Sequence, residues 1–321
     1  MSTSALTFRT ALLLTVPPLM WAGNAVVGRL LVGAMPPVAM NGLRWCLVAV
    51  LLAPLAWRVW QRPQEVLRRW RYFALIGLLG VGSYNALQYL ALRTSSPINV
   101  TLIGASIPVW MMVVGRLLYG QHLLPRQLAG AALSVSGVLM VLAQGDWEVL
   151  RQVRLVPGDL LMLLASLCWA LYSWMLAKPP ANMSGDQRPD WDWAEFLWIQ
   201  VVFGVLWTVL SSVAEARWLP LPGVPLWPTH LSSWLWLLFI AIGPSIVAYR
   251  CWGLGVARVG PTLAAFFGNL TPVFAALWSA LLLGQGPRWY HPCALLLITA
   301  GIAVSSGLIR TGGAPSAPRA N

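Results

Sequence analysis

Apolar residues in this chain run in blocks of about twenty, with the polar residues gathered between them. A helix needs roughly 20 apolar residues to cross the hydrocarbon core of a bilayer. Ten blocks meet that length, near 10–31, 37–57, 72–92, 97–119, 126–144, 158–177, 194–214, 231–252, 260–283 and 291–310. The least defined boundary lies around Ser95-Ser96-Pro97, where two blocks nearly touch. A transmembrane barrel would need short segments that alternate apolar and polar residues. Leu117-Leu118 and Leu281-Leu282-Leu283 do not alternate. The pattern therefore predicts an all-α polytopic membrane protein of ten transmembrane helices. Met1–Arg9 is short and no small-residue cleavage site follows it, so the first block is expected to remain as a span.

Composition agrees with lipid as the main solvent. The chain is 58% hydrophobic and 9% charged, with mean hydropathy +0.70; soluble domains carry about 25% charged residues. Cys46, Cys168, Cys251 and Cys293 fall within or beside apolar blocks without CxxC spacing. They read as packing residues rather than a disulfide framework.

The net charge of +12 is distributed by topology. Short cytoplasmic loops collect Lys and Arg. With the N-terminus inside, fourteen of the basic residues fall on the inner side and five on the outer. Arg58, Arg62, Arg68, Arg69 and Arg71 supply the strongest part of that bias, and such a cluster also suits contact with anionic lipid. Both termini are expected in the cytoplasm, which requires an even number of spans. This distribution argues against nucleic acid as a partner. Of the 20 Trp, at least eight sit near block ends, among them Trp57, Trp60, Trp218 and Trp289, as in an aromatic belt at headgroup level. Trp21, Trp45, Trp110, Trp169, Trp252 and Trp278 lie deeper.

The chain also resembles itself. At a shift of 164 residues Pro97 meets Pro261, Gly104 meets Gly268, Pro108 meets Pro272, and Gly120-Gln121 meets Gly284-Gln285. At a shift of 148, Trp21-Ala22 meets Trp169-Ala170. Two units of five spans follow, over 1–150 and 151–311, with a disordered tail expected at 312–321. Five is odd, so the second unit must enter the membrane upside down. Inverted repeats of this kind are a transporter architecture, with substrate near the midplane between the halves.

Candidate chemistry follows from depth. Pro108 and Pro272 fall near the middle of their blocks, where proline removes a hydrogen bond and clashes with the carbonyl four residues back, at Gly104 and Gly268. These four are the expected helix-bending residues, either a plain kink or a kink beside the pathway. Arg44 lies several residues inside the second block with no acidic residue at its depth. Intramembrane charges are costly and mark function. Arg44 could hold a substrate carboxylate, snorkel to the interface, or bind backbone carbonyls. Trp21 and Asn24 share a helix face, as do Tyr84 and Gln88, with Asn85 beside them; Trp169 and Tyr172 are the second-half partners of the first pair. They would line a cavity with aromatic walls and a few polar handles, or serve as interhelical hydrogen bonds. Tyr249, Asn269 and Gln200 belong to the same set.

Nothing suggests an enzyme. His122, His230 and His291 are scattered near loops, and there is no HExxH, paired-Asp or Walker-type motif. No cofactor or metal is expected.

The stretch from Gly268-Asn-Leu-Thr-Pro272 to Gly284-Gln285, its counterpart from Ala105-Ser-Ile-Pro108 to Gly120-Gln121, Trp21-Ala-Gly-Asn24 and Arg44 resemble the EamA family of the drug/metabolite transporter superfamily. The resemblance covers about residues 10–310. It implies a ten-helix carrier of the bacterial inner membrane that exports amino acids or other small metabolites. A multidrug efflux carrier and a passive facilitator or channel are the alternatives. The family often has Glu where this chain has Gln121 and Gln285, and no Asp or Glu lies deep in a block. Proton antiport through a buried carboxylate therefore has little support, and the oligomeric state is left open.

Overall fold

The computed structural model describes residues 6–31 and 33–308, all of whose regular structure is helical. The predicted tail at 312–321 lies outside the described residues. The elements are α1 (Phe8–Leu30), α2 (Pro37–Leu52), α3 (Trp57–Gln61), α4 (Pro63–Leu67) and α5 (Trp70–Ile76). After a π-helical stretch (Gly77–Ser83) come α6 (Tyr84–Ala91), α7 (Pro97–Gly104), α8 (Ile107–Tyr119), α9 (Pro125–Leu142) and α10 (Glu148–Arg151). The remainder comprises α11 (Pro157–Ala177), α12 (Trp193–Trp218), α13 (Leu231–Ile240), a second π-helical stretch (Ala241–Val247), α14 (Ala248–Val259), α15 (Pro261–Gly268), α16 (Thr271–Leu283) and α17 (Tyr290–Ser306).

Among the described residues, seven helical stretches have the length and composition to cross a membrane, or eight if α7 and α8 count as one bent span. The other two apolar helices, α2 and α17, have only 16 and 17 residues. The second expected block runs to 57, yet α2 stops at Leu52. Pro54 has no N–H to donate to the Val50 carbonyl, so the helical ladder ends there. At the end of α17, Gly307 takes φ 78°, a left-handed conformation that glycine adopts without cost.

Backbone irregularities recur at the spacing of the sequence repeat. The π stretches begin at Gly77 and Ala241. The breaks fall after Gly104 and Gly268. Left-handed glycines end α8 and α16, at Gly120 (φ 63°) and Gly284 (φ 68°). Each pair is 164 residues apart. In the second π stretch Pro244 would strip the Ile240 carbonyl of its usual partner. The Ser245 hydroxyl donates to that carbonyl instead, at 2.8 Å.

Helix pairing follows the same symmetry. α1 packs on α14 and α16, while α11 packs on α6 and α8. α2 pairs with α12, and α9 with α17. Small residues set the closest approaches, as expected where lipid removes the hydrophobic drive for helix association. A Cβ at Gly130 would lie 2.6 Å from the Gly301 carbonyl, and one at Gly301 would lie 2.7 Å from the Gly130 carbonyl. On the first π stretch, a Cβ at Gly77 would meet the Gly204 nitrogen at 2.8 Å. The main buried core lies where α11, α12, α14 and α15 meet the first half.

Candidate functional site: a buried arginine beside an aromatic cluster

Arg44 projects from α2 into the interior and is 2% exposed. One guanidinium nitrogen donates to the Asn41 side-chain oxygen at 2.8 Å, another to that of Asn24 at 3.4 Å. Its Cζ lies 4.9 Å from the centre of the Trp45 ring. Its Nε has no partner, nor does the Asn41 amide nitrogen or the Trp45 indole nitrogen. No described Asp or Glu forms an ion pair with it. The cation is thus held by neutral oxygens and an aromatic face, with donor capacity left over.

Aromatic rings from both halves of the chain converge beside it. Trp169 of α11 is their hub, with ring centres 5.3 Å from Trp21, 5.2 Å from Tyr84, 5.1 Å from Tyr172, 5.6 Å from Tyr249 and 5.4 Å from Trp252. Tyr249 also stands edge-on to Trp45 at 5.0 Å, which joins the cluster to the arginine's own helix. Edge-to-face and tilted pairs at such distances are the favourable geometries of aromatic quadrupoles.

The polar ends of these rings are directed by specific partners. The Tyr249 hydroxyl donates to the Gly80 carbonyl, and the Trp21 indole to the Pro244 carbonyl at 3.2 Å. Gly80 and Pro244 occupy matching places in the two π stretches, where the altered ladder leaves carbonyls available. The Gln200 amide donates to the Tyr172 oxygen at 3.0 Å. Trp252 donates to Ser173 at 3.1 Å, and Ser173 to the Trp169 carbonyl at 2.8 Å. Gly80 is itself required: a Cβ there would lie 2.7 Å from the Tyr172 ring.

The residues singled out in the sequence divide into groups. Arg44 and Asn24 meet directly, and Trp21, Tyr84, Trp169, Tyr172 and Tyr249 form one cluster. Asn85 is buried and Gln88 half-buried on α6, one helical turn from Tyr84. Asn269 lies apart from this cluster: its amide donates to Ser134 of α9 at 2.8 Å. Pro108 and Pro272 lie near the middle of the 97–119 and 261–283 stretches, as the sequence leads one to expect, in the first turn of α8 and α16 just after the breaks. The α7–α8 break bends the chain by 40°, whereas α15 and α16 continue as one span. Thr271 donates its hydroxyl to the Gly268 carbonyl at 2.7 Å, which satisfies the group that Pro272 leaves open.

Sequence reasoning passed over Asn41, and set Trp45 and Trp252 among the deeper tryptophans without giving them a place in the site. Asn41 was within reach, since it precedes Arg44 by three residues and so shares its helix face. The buried acids serve helix ends. Glu215 accepts from the Val38 and Ala39 nitrogens at 3.2 and 2.9 Å and so caps α2 from the end of α12. Glu195 accepts from the Asp192 nitrogen at 2.8 Å and lies 3.6 Å from Arg58. Asp159 accepts from Ser95, Asn99 and the Val156 nitrogen. Among the described residues no cluster of His, Cys, Asp and Glu could hold a metal ion.

A multi-span helical bundle with a buried cation and an aromatic centre shared by its two halves defines a membrane transporter. The chain belongs to the EamA-like transporter family, which it matches over residues 8–143 and 156–307. It is 24% identical over 280 residues to the uncharacterized transporter YyaM of Bacillus subtilis, covering 87% of each chain. It is 24% identical to the aromatic amino acid exporter YddG of Ancylobacter novellus, over 87% of this chain and 90% of that one. It is 27% identical to a probable amino-acid metabolite efflux pump of Salmonella typhimurium, over 89% of this chain and 90% of that one. A crystal structure 21% identical in sequence shares the fold, with a TM-score of 0.73 over 94% of this chain and 98% of that one.

Proposed function

We propose that the protein is a secondary transporter of the bacterial inner membrane that exports a small metabolite bearing a carboxylate, such as an amino acid or a related compound. Arg44 carries this reading. A buried charge without a counter-ion costs several kcal/mol, and the Arg44 fork, with Nε unpartnered, matches the geometry of a carboxylate. A substrate carboxylate completes the site, and the Trp169 cluster receives its apolar or aromatic part. The names of the relatives as amino acid and metabolite exporters support the same class.

The working mechanism is alternating access between two inverted five-helix halves that together make ten spans. The paired π stretches, breaks and glycine caps support the repeat, as do the exchange-related helix pairs. In this scheme α2 and α17 are the short members, and the loops carrying Arg58–Arg71 lie in the cytoplasm with both termini. Trp21, Asn24, Arg44, Tyr84, Asn85, Gln88, Trp169, Tyr172 and Tyr249 surround the substrate. Asn269 supports the second-half break, and Gly104/Pro108 and Gly268/Pro272 mark where the spans reorient. The polypeptide itself supplies no enzymatic step in this mechanism.

The test compares metabolites outside cells that express the intact chain with those outside cells expressing Arg44→Ala at equal membrane abundance. A few related carboxylates should appear outside only with the intact chain. Identical profiles for the two strains, under amino acid loading, would refute the assignment of Arg44 to the substrate.

A further inference from the structure

At the end of the bundle that bears Arg58–Arg71, a cavity of about 710 Å³ opens between the start of α5 and the ends of α8 and α11. Four cations line it: Arg68, Arg69, Arg71 and Lys178. Of these, only Arg69 forms an ion pair among the described residues, with Glu65. Arg71 lies over the Trp70 ring at 5.7 Å, and Lys178 lies 5.8 Å from the Tyr119 and Trp174 ring centres. The Lys178 ammonium also donates to the Tyr119 carbonyl at 3.4 Å. All of these partners are neutral.

The neighbouring cavity, of about 440 Å³, is different. There Glu65, Asp186 and Asp190 face the arginines. Arg69, which lies between the two, is fully used: it donates to the Asn182 carbonyl at 2.8 Å, to the Gln187 carbonyl at 2.7 Å and to Glu65. Arg69 is wall rather than ligand; the smaller cavity sets three acids against its five arginines, whereas the larger has no acid in its lining.

The rim of that cavity is apolar and uncovered. Leu67, Trp70 and Leu75 are 64%, 51% and 45% exposed. Leu67, Trp70 and Leu75 line the same cavity as the cations, so apolar and charged groups share one site. A soluble anion would use the cations alone. A molecule with a phosphate and an acyl chain uses both. Basic pockets between helices at the membrane interface suit anionic headgroups.

We propose that this cavity binds an anionic glycerophospholipid, with its phosphate among Arg68, Arg71 and Lys178 and its acyl chains along Leu67 and Leu75. The bound lipid would fasten the cytoplasmic ends of α8 and α11 to the α4–α5 corner. This site is separate from the Arg44 centre and does not depend on the identity of the transported substrate.

The test uses the purified full-length chain, titrated in detergent with phosphatidylglycerol, phosphatidylcholine or glycerol 3-phosphate. Retained lipid is counted by native mass spectrometry, and the unfolding midpoint is followed in parallel. Phosphatidylglycerol should bind and raise the midpoint, while phosphatidylcholine should do neither. A surface cation contributes about 1 kcal/mol toward an anionic headgroup, or roughly fivefold in affinity. Combined Arg68→Gln, Arg71→Gln and Lys178→Gln should therefore weaken binding by about a hundredfold. Combined Arg68→Lys and Arg71→Lys, which keeps the charge, should retain most of it and shows that the cavity survives substitution. Equal weakening by Arg9→Gln, Arg116→Gln and Arg126→Gln, which lie outside the cavity, would overturn the proposal. Displacement of phosphatidylglycerol by glycerol 3-phosphate at equal concentration would also overturn it, because the site would then be one for a soluble phosphate.

Discussion

The α9–α17 seam and the Arg44 centre are both buried, and they are built on opposite principles. In the seam everything is satisfied and nothing is spare. Gly130 and Gly301 bring the two backbones into contact, Gly137 lies against Ala294 and Ile298, and Ser134 receives the Asn269 amide. At the centre, Arg44 Nε, the Asn41 amide and the Trp45 indole are buried and lack partners within the chain. A molecule that wastes no polar group in one interior and several in another has not packed the second one carelessly. In the function proposed above, the unsatisfied groups around Arg44 are where the substrate carboxylate docks.

That contrast can be broken by substitution, and the largest effect belongs to the centre. Arg44→Ala should reduce carboxylate transport by at least thirtyfold, because truncating one member of a buried charge pair costs about 2–5 kcal/mol. Its unfolding midpoint should hold or rise, since the unpaired buried charge is gone. A fall in stability matching the fall in flux would make Arg44 a structural residue. At Asn41, Asn41→Ala should weaken transport by about 1.5–3 kcal/mol in apparent affinity through loss of a hydrogen bond to a charged group. Initial rates across a range of substrate concentration read this as a raised half-saturation value.

The seam should respond in the reverse way. Gly301→Val places a side chain against the Gly130 carbonyl and should cost about 1–3 kcal/mol. The unfolding midpoint in detergent should fall, while molecules that remain folded keep their substrate affinity. The smallest effect is expected at the α2 cap. Glu215→Gln keeps an acceptor for one of the Val38 and Ala39 nitrogens, sets an NH2 donor against the other and loses the charge at a helix N-terminus, together worth about 1 kcal/mol. A midpoint shift of a few degrees or less would agree; full loss of folding would give Glu215 a larger part than capping.

The sequence made the scaffold legible wherever bilayer thickness or proline spoke. Apolar blocks of bilayer length place every main helix, and the 164-residue self-similarity anticipates the paired breaks at Gly104 and Gly268. Block length alone overestimates α2, because the apolar residues after Leu52 conceal the effect of Pro54. The two π stretches left little signal beyond small residues at Gly77, Gly80 and Gly243 and, in the second, Pro244, since a π ladder depends on tertiary contact. At the site, charge at depth was enough to single out Arg44, and helical spacing was enough for Trp21 with Asn24. Trp45 and Trp252 were legible as deep but not separable from Trp110 and Trp278, because which face of a helix looks inward depends on partners far away in the chain. Asn269 shows the same limit: its place beside a break was legible in the sequence, but its hydrogen bond to Ser134 across the α9 interface was not.

The central claim is that Arg44 receives the carboxylate of the transported molecule. The direct measurement is counterflow in liposomes containing purified protein, with an aromatic amino acid and its decarboxylated amine as paired solutes. Intact protein should exchange the amino acid saturably and ignore the amine, and Arg44→Ala should exchange neither. Equal exchange of acid and amine by the intact protein, or undiminished amino acid exchange by Arg44→Ala, would contradict it.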